Sequence, residues 1–291
     1  MTDTHRRFLF DDTPVRGGWV HLDAAYREVL SRHDYPPVLR RMLGELLVAT
    51  TLLANNLKFK GSLIVQVQSP GQLKLLVVEC TDGLGLRAIA KWEGELSDDA
   101  DLHQLAASGR CVITLDPRDG SKVYQGIVAM EQGSISKLLE HHMQSSEQLA
   151  TRIWLSADGE RAAGLMLQRL PAAAPVTEDA GGEDWERAVL LASTVQPGEL
   201  LALDADILLG RLFAEEPVRL FRDHPVHFEC GCSEERVANA LILLGQREIE
   251  QVLAEQGRIE AACEFCNRKY VFDRARAMAL FAQPGVPPTL H

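Results

Sequence analysis

Four of the six cysteines in this 291-residue chain stand in its last quarter, as Cys230-Gly-Cys232 and Cys263-x-x-Cys266, with Cys80 and Cys111 far from them. Thiolates are soft metal ligands, and two close pairs can complete a tetrahedral shell around one Zn²⁺, with Zn–S near ~2.3 Å and the sulfurs roughly 3.7 Å apart. The Cys-x-Cys limb is tighter than the about two to four intervening residues of the commonest structural-zinc limb, and Gly231 is expected to let the backbone turn sharply between its ligands. Four cysteines can also hold an iron–sulfur cluster, but no third local cysteine makes a ferredoxin-like run, which favours zinc. Spacing alone leaves two readings open: an inert structural staple, or a site whose thiolates respond to oxidants.

Other residues offer less. His141-His142, after Glu140, has no Cys, His or carboxylate at a matching spacing and reads as a solvated helix end. Gly83-Leu-Gly85 lacks the remaining glycine and following helix of a dinucleotide loop and reads as a turn. Cys80 and Cys111 lie in apolar, strand-like runs and read as buried core thiols. There is no phosphate loop, no His-Glu-x-x-His and no nucleophile elbow, so an ATP-driven mechanism has no support in the sequence.

Composition narrows the class further. With 46% hydrophobic and 24% charged residues the chain is ordinary globular material. Its first twelve residues carry Asp3, Arg6, Arg7, Asp11 and Asp12 and no apolar run long enough for a signal peptide or membrane span. A cytoplasmic location is therefore expected, where paired cysteines mean metal or redox chemistry more than structural disulfides. The formal charge of −11, with nine Asp and Glu against six Lys and Arg from Pro225 to Arg274, argues against nucleic-acid binding.

The elements that must position the cysteines follow from periodicity. Residues 21–33 read as a short amphipathic helix. Pro36 to Leu57 carries apolar residues around most of a helical surface, which predicts a helix enclosed on several sides. From Phe59 to Leu170 period-two or short apolar runs predict strands at Leu63–Gln68, Leu73–Val78, Leu86–Trp92, Val112–Leu115, Val123–Val128 and Arg152–Ser156. Pro70-Gly71, Asp119-Gly120 and Asp158-Gly159 are the turn signals between them. A helix near Ser134–His142, capped by Ser134, interrupts the series. These features predict an α+β first domain of antiparallel strands around a buried helix.

The small and acidic stretch from Pro171 to Glu183 reads as a linker. Helical patterns at Trp185–Val195 and Ala205–Phe213 follow. Too few residues surround them for a core of their own, so Leu208, Leu209, Leu212 and Phe213 are expected to form a docking face on another surface. Helices are also expected at Glu234–Leu244 and Glu248–Glu255, between the two cysteine limbs. A domain this small commonly needs a metal as a staple.

With these pieces in place the chain resembles, over nearly its whole length, the redox-regulated heat shock protein 33 chaperones. Phe228-Glu-Cys-Gly-Cys-Ser-Glu-Glu-Arg236 and Cys263-Glu-Phe-Cys-Asn-Arg-Lys-Tyr270 are similar to the limbs of that family's zinc-binding switch. His33-Asp-Tyr-Pro36, Glu45-Leu-Leu-Val-Ala-Thr50, Leu57-Lys-Phe59, Tyr124-Gln-Gly126, Ser146-Glu-Gln-Leu149 and Thr151-Arg152 are similar to its N-terminal domain. The resemblance implies an ATP-independent holdase that keeps unfolding clients soluble under oxidative stress, acts as a homodimer, and passes clients to ATP-dependent foldases. It implies one zinc per chain on Cys230, Cys232, Cys263 and Cys266 in the reduced, inactive form. Oxidants would then form the Cys230–Cys232 and Cys263–Cys266 disulfides, expel the metal and unfold the linker.

The implied organisation is an N-terminal α+β domain over residues 1–171, a metastable helical linker over 172–228, a C-terminal zinc-binding switch domain over 229–283, and a tail over 284–291. Two rival classes stay in view. A thiol-disulfide oxidoreductase needs a turning-over thiol of lowered pKa, and a constitutive zinc-stapled binding module needs no redox response at all.

Overall fold

The two faces of one central strand pair explain most of the first unit. In the computed structural model, which describes residues 2–11, 13–54, 60–117, 120–130, 133–171 and 182–281, β1 (Thr4–Phe10) and β2 (Val15–Leu22) form an antiparallel hairpin. Helices α1 (Ala24–Leu30) and α2 (Pro37–Ala54) follow. α2 is buried around most of its circumference, as its apolar pattern predicts, although Leu57, the end of the expected helix, lies outside the described residues.

Strands β3 (Gly61–Gln68), β4 (Leu73–Thr81) and β5 (Gly85–Trp92) come next, then the single-turn helix α3 (Leu102–Leu105), β6 (Arg110–Pro117) and β7 (Tyr124–Ala129). Helix α4 (Ile135–Ser145) begins where Ser134 Oγ accepts the Lys137 N–H at 3.3 Å, the expected cap. Strands β8 (Thr151–Ala157) and β9 (Ala162–Arg169) complete this stretch. One antiparallel series runs β1-β2-β9-β8 and the other β5-β4-β3-β6-β7, with α2 touching strands of both. The α+β class and the central buried helix are as the sequence indicates.

Beyond residues 172–181, which with Asp119 and the expected tail at 284–291 fall outside the described residues, three helices appear: α5 (Gly182–Ala192), α6 (Pro197–Ala202) and α7 (Ala205–Leu212). They cover the face of the β1-β2-β9 sheet that α2 leaves free. Val20, Leu22 and Met166 point into the α2 core. Val15, Trp19, Leu165 and Leu167 point the other way, against Leu200, Leu208, Leu209 and Leu212. Phe213, just past α7, meets Phe10 edge-on with ring centroids 4.9 Å apart. Arg6 on β1 adds ion pairs to Asp206 and Asp223. The four expected docking residues are at most 3% exposed.

The chain then adds short edges to both sheets. β10 (Val218–Leu220) and β11 (His224–Pro225) pair with β1, and β12 (His227–Phe228) lies parallel to β5. Packing divides the chain after Glu229.

The second unit, from Cys230, holds α8 (Glu234–Leu244), α9 (Gln246–Gln256), the hairpin β13 (Arg258–Ala262) with β14 (Lys269–Asp273), and α10 (Arg274–Ala279). Its core is small: Leu241, Ile249, Leu253, Ile259, Tyr270, Phe272 and Ala277, with Cys232 and Cys263 packed against it.

Candidate metal centre

Each cysteine limb is built by its neighbours. Ser233 caps α8, accepting the Arg236 N–H at 3.2 Å, and so anchors the Cys230-Gly-Cys232 limb at a helix start. Gly231 departs from expectation: its φ is not in the left-handed region, and a Cβ there would meet only Arg236 Nη1, at 3.4 Å. The short limb therefore turns without a demand for glycine.

The other limb is the loop of the β13–β14 hairpin. The Asn267 N–H donates to the Cys263 carbonyl at 2.8 Å, and the Cys263 N–H to the Arg268 carbonyl at 2.9 Å. Asn267 takes the left-handed conformation, φ 57°, that closes such a loop and that Asn tolerates well.

These two supports bring all four Sγ atoms within 4.8 Å of one another. Cys230 and Cys263 are 3.7 Å apart and Cys232 and Cys266 3.4 Å, near the edge length of a tetrahedral tetrathiolate, roughly 3.7 Å. The arrangement can hold one metal ion.

Its electrostatics favour a cation. Burial, then the hydrogen bonds shared with the other cysteines, push the Cys266 thiol up to about 12 despite an opposing backbone N–H from Arg268. Cys230 is raised by burial as well. Cys232 moves the other way: although burial pushes it up, the hydrogen bond from the Tyr270 hydroxyl at 3.1 Å, followed by those from its cysteine neighbours, brings it down to about 7. Four thiolates this close repel strongly, and a divalent cation supplies the missing charge.

The remaining candidates stay apart from this cluster. Cys80 and Cys111 are fully buried on β4 and β6, where burial raises both thiols to about 12. Gly83-Leu-Gly85 is a turn with Leu84 at φ 59°. His141-His142 is a correction: His141 is exposed, but His142 is only 3% exposed, its ring lying where a Cβ on Gly126 would come within 2.8 Å. The glycine of Tyr124-Gln-Gly126 thus makes room for a buried imidazole, a long-range contact without a local signal. Tyr270 was not singled out from sequence either. Among the described residues no helix is long and apolar enough to cross a membrane.

Comparison with known proteins supplies the family. The model described as "Hsp33 protein" matches residues 3–273. A 33 kDa chaperonin of Methylobacillus flagellatus is 51% identical over 289 residues, covering 99% of this chain and 97% of the relative. The chain belongs to the Hsp33 family. A second Hsp33-family relative, a 33 kDa chaperonin of Chromobacterium violaceum, is 47% identical over 96% of this chain and 94% of its own length. The fold also matches the crystal structure of a 33 kDa chaperonin, a heat shock protein 33 homologue, from Thermotoga maritima. That match has a TM-score of 0.82 at 20% identity, over 96% of this chain and 98% of that one.

Proposed function

We propose that this chain is a chaperone whose holdase activity is switched by oxidation of a zinc tetrathiolate. The observation that carries the reading is the clustering of Cys230, Cys232, Cys263 and Cys266 within 4.8 Å in a unit with a small apolar core. Structural zinc contributes on the order of 10 kcal/mol to a small domain, comparable with the whole stability of an ordinary one. Removing its ligands by oxidation therefore unfolds the unit.

The proposed disulfides are Cys230–Cys232 and Cys263–Cys266. The sulfur distances do not select them, since a tetrahedron makes every pair near-equivalent, but pairing within a limb closes a very short loop and needs no rearrangement between limbs. For each disulfide, one peroxide takes two electrons from a thiolate pair. An S–S bond forms, the O–O bond breaks, and two protons are taken up to give two waters.

Residues 172–228 are the responsive linker in this reading. The chain enters Cys230 directly from β12, so unfolding of the second unit loosens the end of that stretch. The apolar surfaces under α5–α7, including Trp19, Phe8, Leu208 and Phe213, then become available to unfolding clients, a shift of a docked-to-open equilibrium. Family membership supports action in the cytoplasm, as a homodimer, with transfer of clients to ATP-dependent foldases, and without enzymatic turnover.

The test measures zinc, free thiols and suppression of client aggregation on one sample before and after peroxide with mild heat. One zinc per chain, lost together with four thiols as aggregation suppression appears, is the expected result. Peptide mapping should find the two within-limb disulfides. Suppression that is equal before and after oxidation would instead mean a constitutive binding module, and catalytic insulin reduction an oxidoreductase.

A further inference from the structure

We propose that Tyr270 is a positioning residue that raises the oxidant threshold of the tetrathiolate by holding a hydrogen bond on Cys232 Sγ. The inference rests on the metal-site reading above.

Tyr270 lies on β14 opposite Ala261, and the two-residue period of the strand turns Tyr270 and Phe272 inward together. The phenol is 8% exposed, packed in the second unit's core, with the Arg268 guanidinium 5.9 Å from its ring centre. This packing fixes the hydroxyl, which donates to Cys232 Sγ at 3.1 Å. A thiolate has no proton of its own to give, so the phenolic O–H must be the donor.

Cys230 and Cys266 receive backbone N–H groups, from Cys232 and Arg268. Those donors survive any substitution that keeps the loop, whereas the donor to Cys232 is a side chain and can be removed by one change.

The chemistry gives the hydrogen bond its consequence. Oxidation begins when a thiolate sulfur attacks a peroxide oxygen: an S–O bond forms, the O–O bond breaks, and the hydroxide that leaves is neutralised to water by a proton from the buffer. A second thiolate then attacks the sulfenic sulfur, forming S–S as the S–O bond breaks, and the departing hydroxide is also protonated. A donor bound to the sulfur withdraws charge from it and lowers its nucleophilicity, which slows the first attack. Tyr270 thus guards the limb that carries Cys232 and leaves the ring packing to support the unit.

The test uses the full chain loaded with zinc and its Tyr270→Phe variant, which keeps the ring and removes the donor. Zinc release is followed with a metallochromic indicator at fixed peroxide, beside zinc content and chelator competition. The variant should hold one zinc per chain and release it on the order of fivefold faster with peroxide. With Co²⁺ in place of zinc, the thiolate-to-cobalt charge-transfer band of the variant should also move, a change that ring packing alone would not produce. Arg268→Ala, which removes the cation beside the ring but keeps the hydroxyl and the core packing that seats it, should leave the release rate near the parent's.

Equal or slower release from Tyr270→Phe overturns the proposal, as does an unmoved cobalt band or an equal acceleration in Arg268→Ala. If the Phe variant loses zinc before peroxide is added, the cobalt spectrum at saturating metal decides. A parent chain that holds no metal overturns the tetrathiolate reading itself, which separates the two failures.

Discussion

His5 and His224 face each other across the β1–β11 ladder, with ring centroids 6.5 Å apart and planes inclined by 45°. His5 is 1% exposed, and burial, then the proximity of His224 and Arg7, lowers it from 6.5 to about 3. Its neutral form therefore belongs to the state in which residues 224–225 lie on β1.

The direction of the pH effect follows. Above pH 6.5 His5 is neutral folded and unfolded, so it has no influence on stability. As pH falls from 6.5 toward 3 the unfolded chain takes up a proton that the folded chain refuses, and stability drops, by about 2 kcal/mol at pH 5. Glu45 acts oppositely: burial raises it to about 7, so the folded chain gains stability as pH falls through that value. The clean observable is thus a difference. Between pH 7.5 and pH 5 the parent should lose about 2 kcal/mol more than His5→Gln in urea melts. Identical pH slopes would refute the assignment.

The cysteine cluster was legible because donors that could share one metal stand at short spacings, which survive in a linear text. Helix α8 was legible for a related reason, its helical spacing of apolar residues being local. Strand β9 was not. Ala163, Leu165 and Leu167 face α5–α7 while Ala162 and Met166 face α2, so apolar residues fill both phases and no alternation remains. β2 hides its period likewise, with Trp19 on one face and Val20 on the other. The surroundings of Tyr270 and His142 were not legible, because each makes its contact only on folding, to Cys232 and beside Gly126.

Thiol chemistry separates the two kinds of cysteine. Cys80 and Cys111 are fully buried in the core of the first unit, so they stay enclosed from alkylating reagents when chelation loosens the small second unit that holds the other four. After chelator treatment at pH 8, mass spectrometry should find iodoacetamide on Cys230, Cys232, Cys263 and Cys266. Cys80 and Cys111 should label only in denaturant, and their Ser variants should keep the parent's metal content. Rapid native labelling of Cys80 would contradict the core placement.

On α7, Leu208 is 0% and Leu212 3% exposed against the β1-β2-β9 sheet, whereas Ile207 on the same helix is 58% exposed. Truncating a buried Leu to Ala typically costs ~2–5 kcal/mol. A segment docked by few apolar side chains has a local opening free energy of the same order, about a few kcal/mol. Leu208→Ala or Leu212→Ala should therefore open residues 182–228 to hydrogen exchange while the four thiols stay reduced and zinc stays bound. Ile207→Ala should leave exchange unchanged. In the proposed switch, opening alone is sufficient, since oxidation and truncation bias the same equilibrium. The Leu variants should then suppress client aggregation without oxidant. Opened but inactive variants would show that the client surface is created elsewhere, by a step that oxidation adds and linker release does not.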